Sequence, residues 1–364
     1  MFLEQGNDPL AKIAHLDVSI DQESGVHVVV PQLPQGLGHD EVIAAQKALL
    51  DDLFAEYNIE KPTLWYYTPM AQKFAGHINA GCTVFDCMDE LSAFKFAPTE
   101  LKELESKLLG RADVVFTGGQ SLFEAKKNRH HNVHAFPSSI DYDHFAKARS
   151  ISHDPEDQAS IPFPRMGFFG VIDERLDIEL VRGIAEARPD WQLIMIGPVV
   201  KISNEDLPKL PNIHYLGGKS YKELPYYLAT WDVAMLPFAK NESTQFISPT
   251  KTPEYLAAGK AVVSTSIRDV VRPYGDRNLV HIADTVDEFI RAASIAGMDE
   301  ANHDQRWREN VDAFLSQMSW DRTWGRMSAL IDAAISSAQA PRKHSGIETP
   351  ITSTSTQSVD QVAA

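Results

Sequence analysis

Short apolar runs alternate along this chain with longer segments in which apolar residues recur every three or four positions. Residues 26–30 read as an apolar strand interrupted by His27. Residues 40–57 carry Val42, Ile43, Leu49, Leu50, Leu53 and Phe54 at helical spacing. Strands are predicted at 64–67, 82–85, 114–116 and 133–136, and helices at 99–109 and 121–128. Between 150 and 164 the chain turns to Asp, Ser, Pro and Glu without periodicity, which reads as a linker. The alternation then restarts. It predicts strands at 166–169, 191–196, 213–216, 233–237 and 261–265, and helices at 178–188, 221–229, 253–258, 285–296, 303–318 and 320–336.

Strand–helix alternation of this kind predicts α/β architecture, with parallel sheets covered by helices on both faces. The pattern divides into a first Rossmann-like unit over 1–150 and a second over 160–315. A helix at 316–337 is expected to brace the first unit, and a Ser/Thr/Gln-rich tail at 338–364 is too polar to fold alone. Two doubly wound units in tandem place a ligand where the carboxyl ends of their strands face each other.

A length of 364 residues suffices for two cores. The formal net charge of -16 repels nucleic acid and anionic headgroups, and no long Lys/Arg run offsets it. Cys82 and Cys87 are too few for a disulfide framework or a four-ligand zinc site, and read as small buried hydrophobes in a reducing compartment. No apolar run approaches the roughly 18 residues that span a bilayer. The opening residues lack the basic region and apolar core of a signal peptide, so a cytoplasmic protein is expected, and a two-lobed periplasmic binding protein is disfavoured. His77 and the pair His130 and His131 have no metal-type spacing around them. Trp65, Tyr66 and Tyr67 read as core, with one near the strand end able to line a pocket.

The chemistry concentrates between 246 and 265. A polar loop with Ser248 and Lys251 runs into a helix whose first turn holds Glu254, and Gly259 fits the helix's C-terminal cap. Unbonded N–H groups at a helix start attract phosphate, and Lys251 would add a mobile charge. Glu254 would face the cleft, where a carboxylate can accept hydrogen bonds from both ribose hydroxyls; alternatively it only complements the helix dipole. Lys251 could equally be a solvated surface lysine. Arg175 offers a second cation, or a surface ion pair with Asp173 or Asp177. Asp86, Asp89 and Glu90 follow a strand on the facing side, where they could bind an acceptor or polarise its hydroxyl; otherwise Asp89 or Ser92 caps a helix.

The run from Phe246 to Thr265 resembles the donor-site signature of retaining, GT-B-fold bacterial glycosyltransferases of group 1 (family 4-like). The segment from Asn212 to Lys219, with Tyr221 to Pro225, is similar to that group's base-contacting loop. Trp231 to Phe238, Val84 to Ser92, Ala112 to Gly118 and Asn132 to Asp141 follow in matching order, so the likeness covers roughly residues 2–330. The resemblance implies a GT-B fold and transfer of a sugar from a nucleoside diphosphate donor to a glycan or glycolipid hydroxyl, as in polysaccharide or cell-envelope synthesis. It implies that Glu254 holds the ribose, that Gly217, Gly218 and Lys219 contact the base, and that Ser248, Gly170, Lys251 and Arg175 serve the diphosphate. Asp86 would face the acceptor, flanked by Asp89 and Glu90. With two cations present, no metal or other cofactor is expected. Partners would be the nucleotide sugar and a glycan or lipid-linked acceptor, the latter at the inner membrane face.

Three departures accompany the likeness. Phe246 stands where many relatives have a second Glu. Val171, not Arg, follows Gly170. Phe2, Leu3 and Glu4 read as the second strand, so the first strand–loop–helix unit is expected to be absent. Two further functions stay open: a nucleotide-sugar epimerase, and a non-catalytic relative that binds a nucleotide or a partner.

Overall fold

A computed structural model describes residues 2–3, 12–299 and 305–339. Its strands form three sheets. The second domain carries a six-stranded sheet ordered β10-β9-β8-β11-β12-β13, all parallel. Here β8 is Arg165–Phe169, β9 Gln192–Ile196, β10 Ile213–Gly217, β11 Val233–Leu236, β12 Ala261–Ser264 and β13 His281–Ile282. Successive strands run outward on one side of β8 and then restart at β11 on the other. The order therefore reverses between β8 and β11, and the crevice beyond their carboxyl ends is where an open α/β sheet takes its ligand.

The first domain holds a parallel sheet in the order β4-β5-β6-β7, formed by Thr63–Tyr66, Cys82–Cys87, Val114–Thr117 and Val133–Ala135. Its two faces are covered separately. Helices His39–Glu56 and Leu101–Arg111 bury Leu50, Leu53, Leu108 and Leu109 on one face. The final helix, Trp320–Gln339, returns from the second domain and lays Met327, Leu330 and Ile331 on the other. No helix among the described residues is long and apolar enough to cross a membrane.

Not every strand is parallel. β1 (Phe2–Leu3) pairs parallel with β3 (His27–Gln32), but β2 (His15–Ile20) pairs antiparallel with β3, a hairpin that the alternation did not predict. β2 is almost wholly exposed, so it lacks the apolar alternation by which a strand is recognised. Phe2 and Leu3 do form a strand, while Glu4 and the tail from 340 lie outside the described residues.

Packing changes hands earlier than composition does. Ile140, Phe145 and Ala148 already belong to the second domain's core, ten residues before the aperiodic stretch begins at 150. That stretch is itself built into the second domain. Gln158 is fully buried and donates to the carbonyl of Tyr227 (3.2 Å) and to Thr230 Oγ1 (2.8 Å). Arg165, 1% exposed, is neutralised by Asp154 at 2.5 Å. Side-chain hydrogen bonds of this kind leave no periodic trace in a sequence. Cys82 and Cys87 are both buried on β5, and burial pushes their thiols up to about 11 and about 12.

Candidate functional site

At the switch point, Gly170 follows the last residue of β8 and Gly197 that of β9, with φ of +141° and +143°. A Cβ on Gly197 would stand 1.8 Å from the Gly170 carbonyl oxygen, so the two strand ends touch through backbone alone. Over them lies Lys251, the first residue of helix Lys251–Ala257. A Cβ on Gly170 would come within 2.2 Å of its Cε and 2.8 Å of its Nζ. The ammonium lies 5.9 Å from the centre of the Phe168 ring and makes no ion pair among the described residues. Burial pushes the Lys251 amine below its usual range, while Glu254 pulls it back. Lys251 is therefore no solvated surface lysine.

Glu254, one turn along, is pushed up to about 7 by burial, against the attraction of Lys251. Its carboxylate has no hydrogen bond among the described residues. Tyr221 lies near enough for its phenol to feel Glu254, and stacks on His144 at 4.3 Å. A half-buried carboxylate and a buried ammonium, both without protein partners at a sheet switch point, form a site waiting for polar groups.

The helix bearing this pair is held at both ends. Tyr255, fully buried, accepts the N–H of Phe169 at 2.9 Å, tying the helix to the end of β8. Arg149 Nε donates to the Ala257 carbonyl at 2.6 Å, and its guanidinium also binds Asp312. Gly259 follows with φ +75°, the left-handed conformation expected at that position. The helix start offers less to an anion than expected, because the Thr252 N–H already meets the Pro249 carbonyl at 3.2 Å and Pro253 has no N–H.

Arg175 takes one of the two alternatives read from the sequence. Its guanidinium forks onto Asp173, with Nε at 2.9 Å and Nη2 at 2.7 Å, while Asp177 instead caps helix Ile178–Ala187. Asp173 is 3% exposed, so the pair is fixed. The same guanidinium lies 5.6 Å from the Phe94 ring of the first domain, beside Lys201 at 4.9 Å. Arg175 thus stands at the domain boundary as a paired cation, with Lys251 as the unpaired one.

Across the cleft, Asp86 is the penultimate residue of β5, on the face covered by the final helix. It is 5% exposed, its Oδ2 accepts from the Trp65 indole at 3.2 Å, and burial pushes it up to about 6. Trp65 stacks in turn near Trp324 at 6.2 Å. Tyr66 is core as expected, whereas Tyr67 is 51% exposed at the strand end. Asp89 is raised by burial and lowered by Arg175. Glu90, expected on the acceptor side, is bonded to Lys126 at 2.5 Å and to Ser92 at 2.7 Å. Neither Asp89 nor Ser92 caps a helix.

Gly217 (φ +69°) and Gly218 are exposed, with open space where a side chain would go. Lys219, expected beside them at the base, is bound to Asp157 at 2.5 Å and lies 5.3 Å from the Tyr227 ring. Ser248 sits in a seam between the domains, where a Cβ on Gly119 would come within 2.8 Å of its Cβ and 2.2 Å of Asp269 Oδ2. Asp269 accepts the Ser121 N–H at 3.0 Å and the Ser121 hydroxyl. The latch between Ser121 and Asp269, the Arg149 brace and Gly197 were not singled out in the sequence. Each acts through a partner remote in the chain, which no local pattern reports. Among the described residues no group of three or more His, Cys, Asp or Glu could hold a metal ion.

Two facing doubly wound domains, a carboxyl-end cleft and a returning C-terminal helix are the GT-B fold, and the family model described as glycosyl transferases group 1 matches residues 165–296, within the second domain. The chain is 28% identical over 241 residues to the protein of Bacillus subtilis (strain 168) named as the teichuronic acid biosynthesis glycosyltransferase TuaH; the match covers 60% of this chain and 59% of that protein's length. Among solved structures, sucrose-phosphate synthase from Thermosynechococcus elongatus superposes with a TM-score of 0.67 at 15% identity, covering 92% of this chain and 88% of that one. An E. coli trehalose-6-phosphate protein bound with UDP-2-fluoro glucose gives 0.64 at 11%, covering 90% and 92%. Anabaena HepE in complex with UDP and glucose gives 0.60 at 15%, covering 84% and 86%. At these identities the likeness establishes the fold.

Proposed function

We propose that the chain is a glycosyltransferase that moves a sugar from a nucleoside diphosphate donor to a hydroxyl of a glycan or glycolipid, with retention of configuration. The observation that carries the reading is the buried, unpaired ammonium of Lys251 above Gly170, at the point where backbone alone lines the crevice. A diphosphate can approach the backbone there and find an uncompensated charge. That charge stabilises the leaving group as the bond between sugar and phosphate breaks. Glu254, one helical turn away, accepts the ribose hydroxyls. Arg175, fixed by Asp173, contributes field at the domain boundary more than a direct bond. On the facing wall, Asp86 and Asp89 orient the acceptor, and Asp86 at about 6 can take the proton of its hydroxyl near neutral pH.

The matched family model, the similarity to TuaH, and solved neighbours that hold UDP support this reading. The reading includes a cytoplasmic location, at the inner membrane face where the acceptor is lipid-linked, and a role in polysaccharide or cell-envelope synthesis. No cofactor is proposed beyond the donor itself. The test is calorimetric titration with a panel of nucleoside diphosphates. One base should bind selectively, and Glu254→Ala should weaken it about ten-fold or more, the scale of a lost hydrogen bond to a charged group. No binding by the native chain would sink the reading; binding without turnover would leave a nucleotide-binding relative.

A further inference from the structure

A cavity of about 1070 Å³ lies where the chain crosses between domains. Pro137 and Ser139 line it from the outgoing crossing, and Gln317 and Arg326 from the returning one. Three of its lining residues are arginines: Arg272, Arg277 and Arg326. Its one lining carboxylate, Asp269, is turned toward Ser121 in the domain seam. Arg277 and Arg326 make no ion pair among the described residues. Each lies 4.9 Å from a ring centre, Phe314 and Phe136 respectively, a contact that steadies a guanidinium and leaves its N–H groups free. The nearest carboxylate to Arg272 is Asp276 at 3.8 Å, an exposed pair of little strength. The Ser139 hydroxyl, on a residue 5% exposed, has no hydrogen-bond partner.

In a chain of net charge -16, three arginines around one cavity without a committed carboxylate make a local positive field that an anion can enter. We propose that this hinge cavity is a second binding site, for a phosphate-bearing small molecule, and that its occupant joins the two domains. Guanidinium forks match phosphate oxygens bidentately, and the free Ser139 hydroxyl supplies one more donor. The volume exceeds that of one phosphate and admits a phosphorylated metabolite. Of the residues read as serving the donor only Ser248 lines the cavity, beside Asp269; Lys251, Glu254, Gly170 and Arg175 do not. Because its walls come from both domains and both crossings, an occupant favours whichever domain arrangement keeps the walls together.

Calorimetry with inorganic pyrophosphate on the full chain separates the two sites. The double variant Arg277→Ala/Arg326→Ala should lose at least ten-fold in pyrophosphate affinity, whereas Lys251→Ala should retain a saturable binding step. Both arginines are exposed, so the double variant should melt as the native chain does, and Arg182→Ala, remote from the cavity, should bind as native. Pyrophosphate binding that vanishes in Lys251→Ala and is unchanged in the double variant would assign it to the donor crevice and overturn the proposal. So would absence of binding by the native chain.

Discussion

Lys251 lies over the α-carbon of Gly170, so close that a single methyl group added there would meet its side chain at 2.2 Å. Gly170→Ala is therefore expected to push the ammonium aside, since the far end of a lysine yields easily, while straining a backbone at φ +141°. Nucleotide affinity should fall about ten-fold with a modest loss of stability. Gly197→Ala should behave differently. Its methyl would meet the Gly170 carbonyl at 1.8 Å, and backbone cannot yield, so loss of the folded state by thermal melting is the expected result. Equal behaviour of the two variants would contradict the geometry.

Glu254 should set opposite trends in stability and binding. Its folded-state value of about 7 lies above the ordinary 4.5, so between those values the folded chain holds a proton that the unfolded chain has released. Stability from this group is thus present below about pH 4.5 and is lost as pH rises to about 7. Glu254→Gln should be more stable than the native chain at pH 8, by up to about 3 kcal/mol, with the gain vanishing toward pH 4.5. Nucleotide affinity should meanwhile fall in the same variant. Urea melts at pH 5 and pH 8 read the first effect; a pH-independent difference would remove the claim that burial perturbs this carboxyl.

Lys126 ties Glu90 and Glu105 together beneath β5, at 2.5 and 2.6 Å, with its side chain 3% exposed. Lys126→Met leaves Glu90 without a cation and Glu105 with Arg129 alone. A loss of roughly 3–5 kcal/mol is expected by chemical denaturation, because the cost is that of stranded buried charge. A change under about 1 kcal/mol would mean the network behaves as surface ion pairs do.

The latch of Ser121 on Asp269 spans the domain seam. Asp269→Ala should leave the two Ser121 donors unbonded and loosen the seam, costing about 1–3 kcal/mol. Small-angle scattering should then show a larger radius of gyration in the absence of nucleotide. An unchanged scattering curve would show that the final helix alone sets the domain arrangement.

Much of the fold was legible because parallel strands buried on both faces are continuous apolar runs, and the helices between them carry a single apolar stripe. Helix Ile178–Ala187, with its Asp177 cap, lies within a residue or two of where periodicity put it, as do five strands of the second domain; the two-residue β13 was not predicted. The exposed β2 escaped because pairing with β3, not burial, makes it a strand. At the site, order along the chain brought Lys251, Glu254 and Gly170 to the same crevice. It could not say that Lys251 would stand free while Arg175 was claimed by Asp173, or that Glu90 would bond to Lys126. Local sequence determined the elements, their succession and the residue types at each strand end, because these depend on neighbours a few positions away. Which charges stay unpaired depends on partners brought together from 36 to 148 positions apart, as with Lys126 and Glu90 or Ser121 and Asp269. Only the packed chain fixes those distances, and with them which side chains are left to meet a ligand.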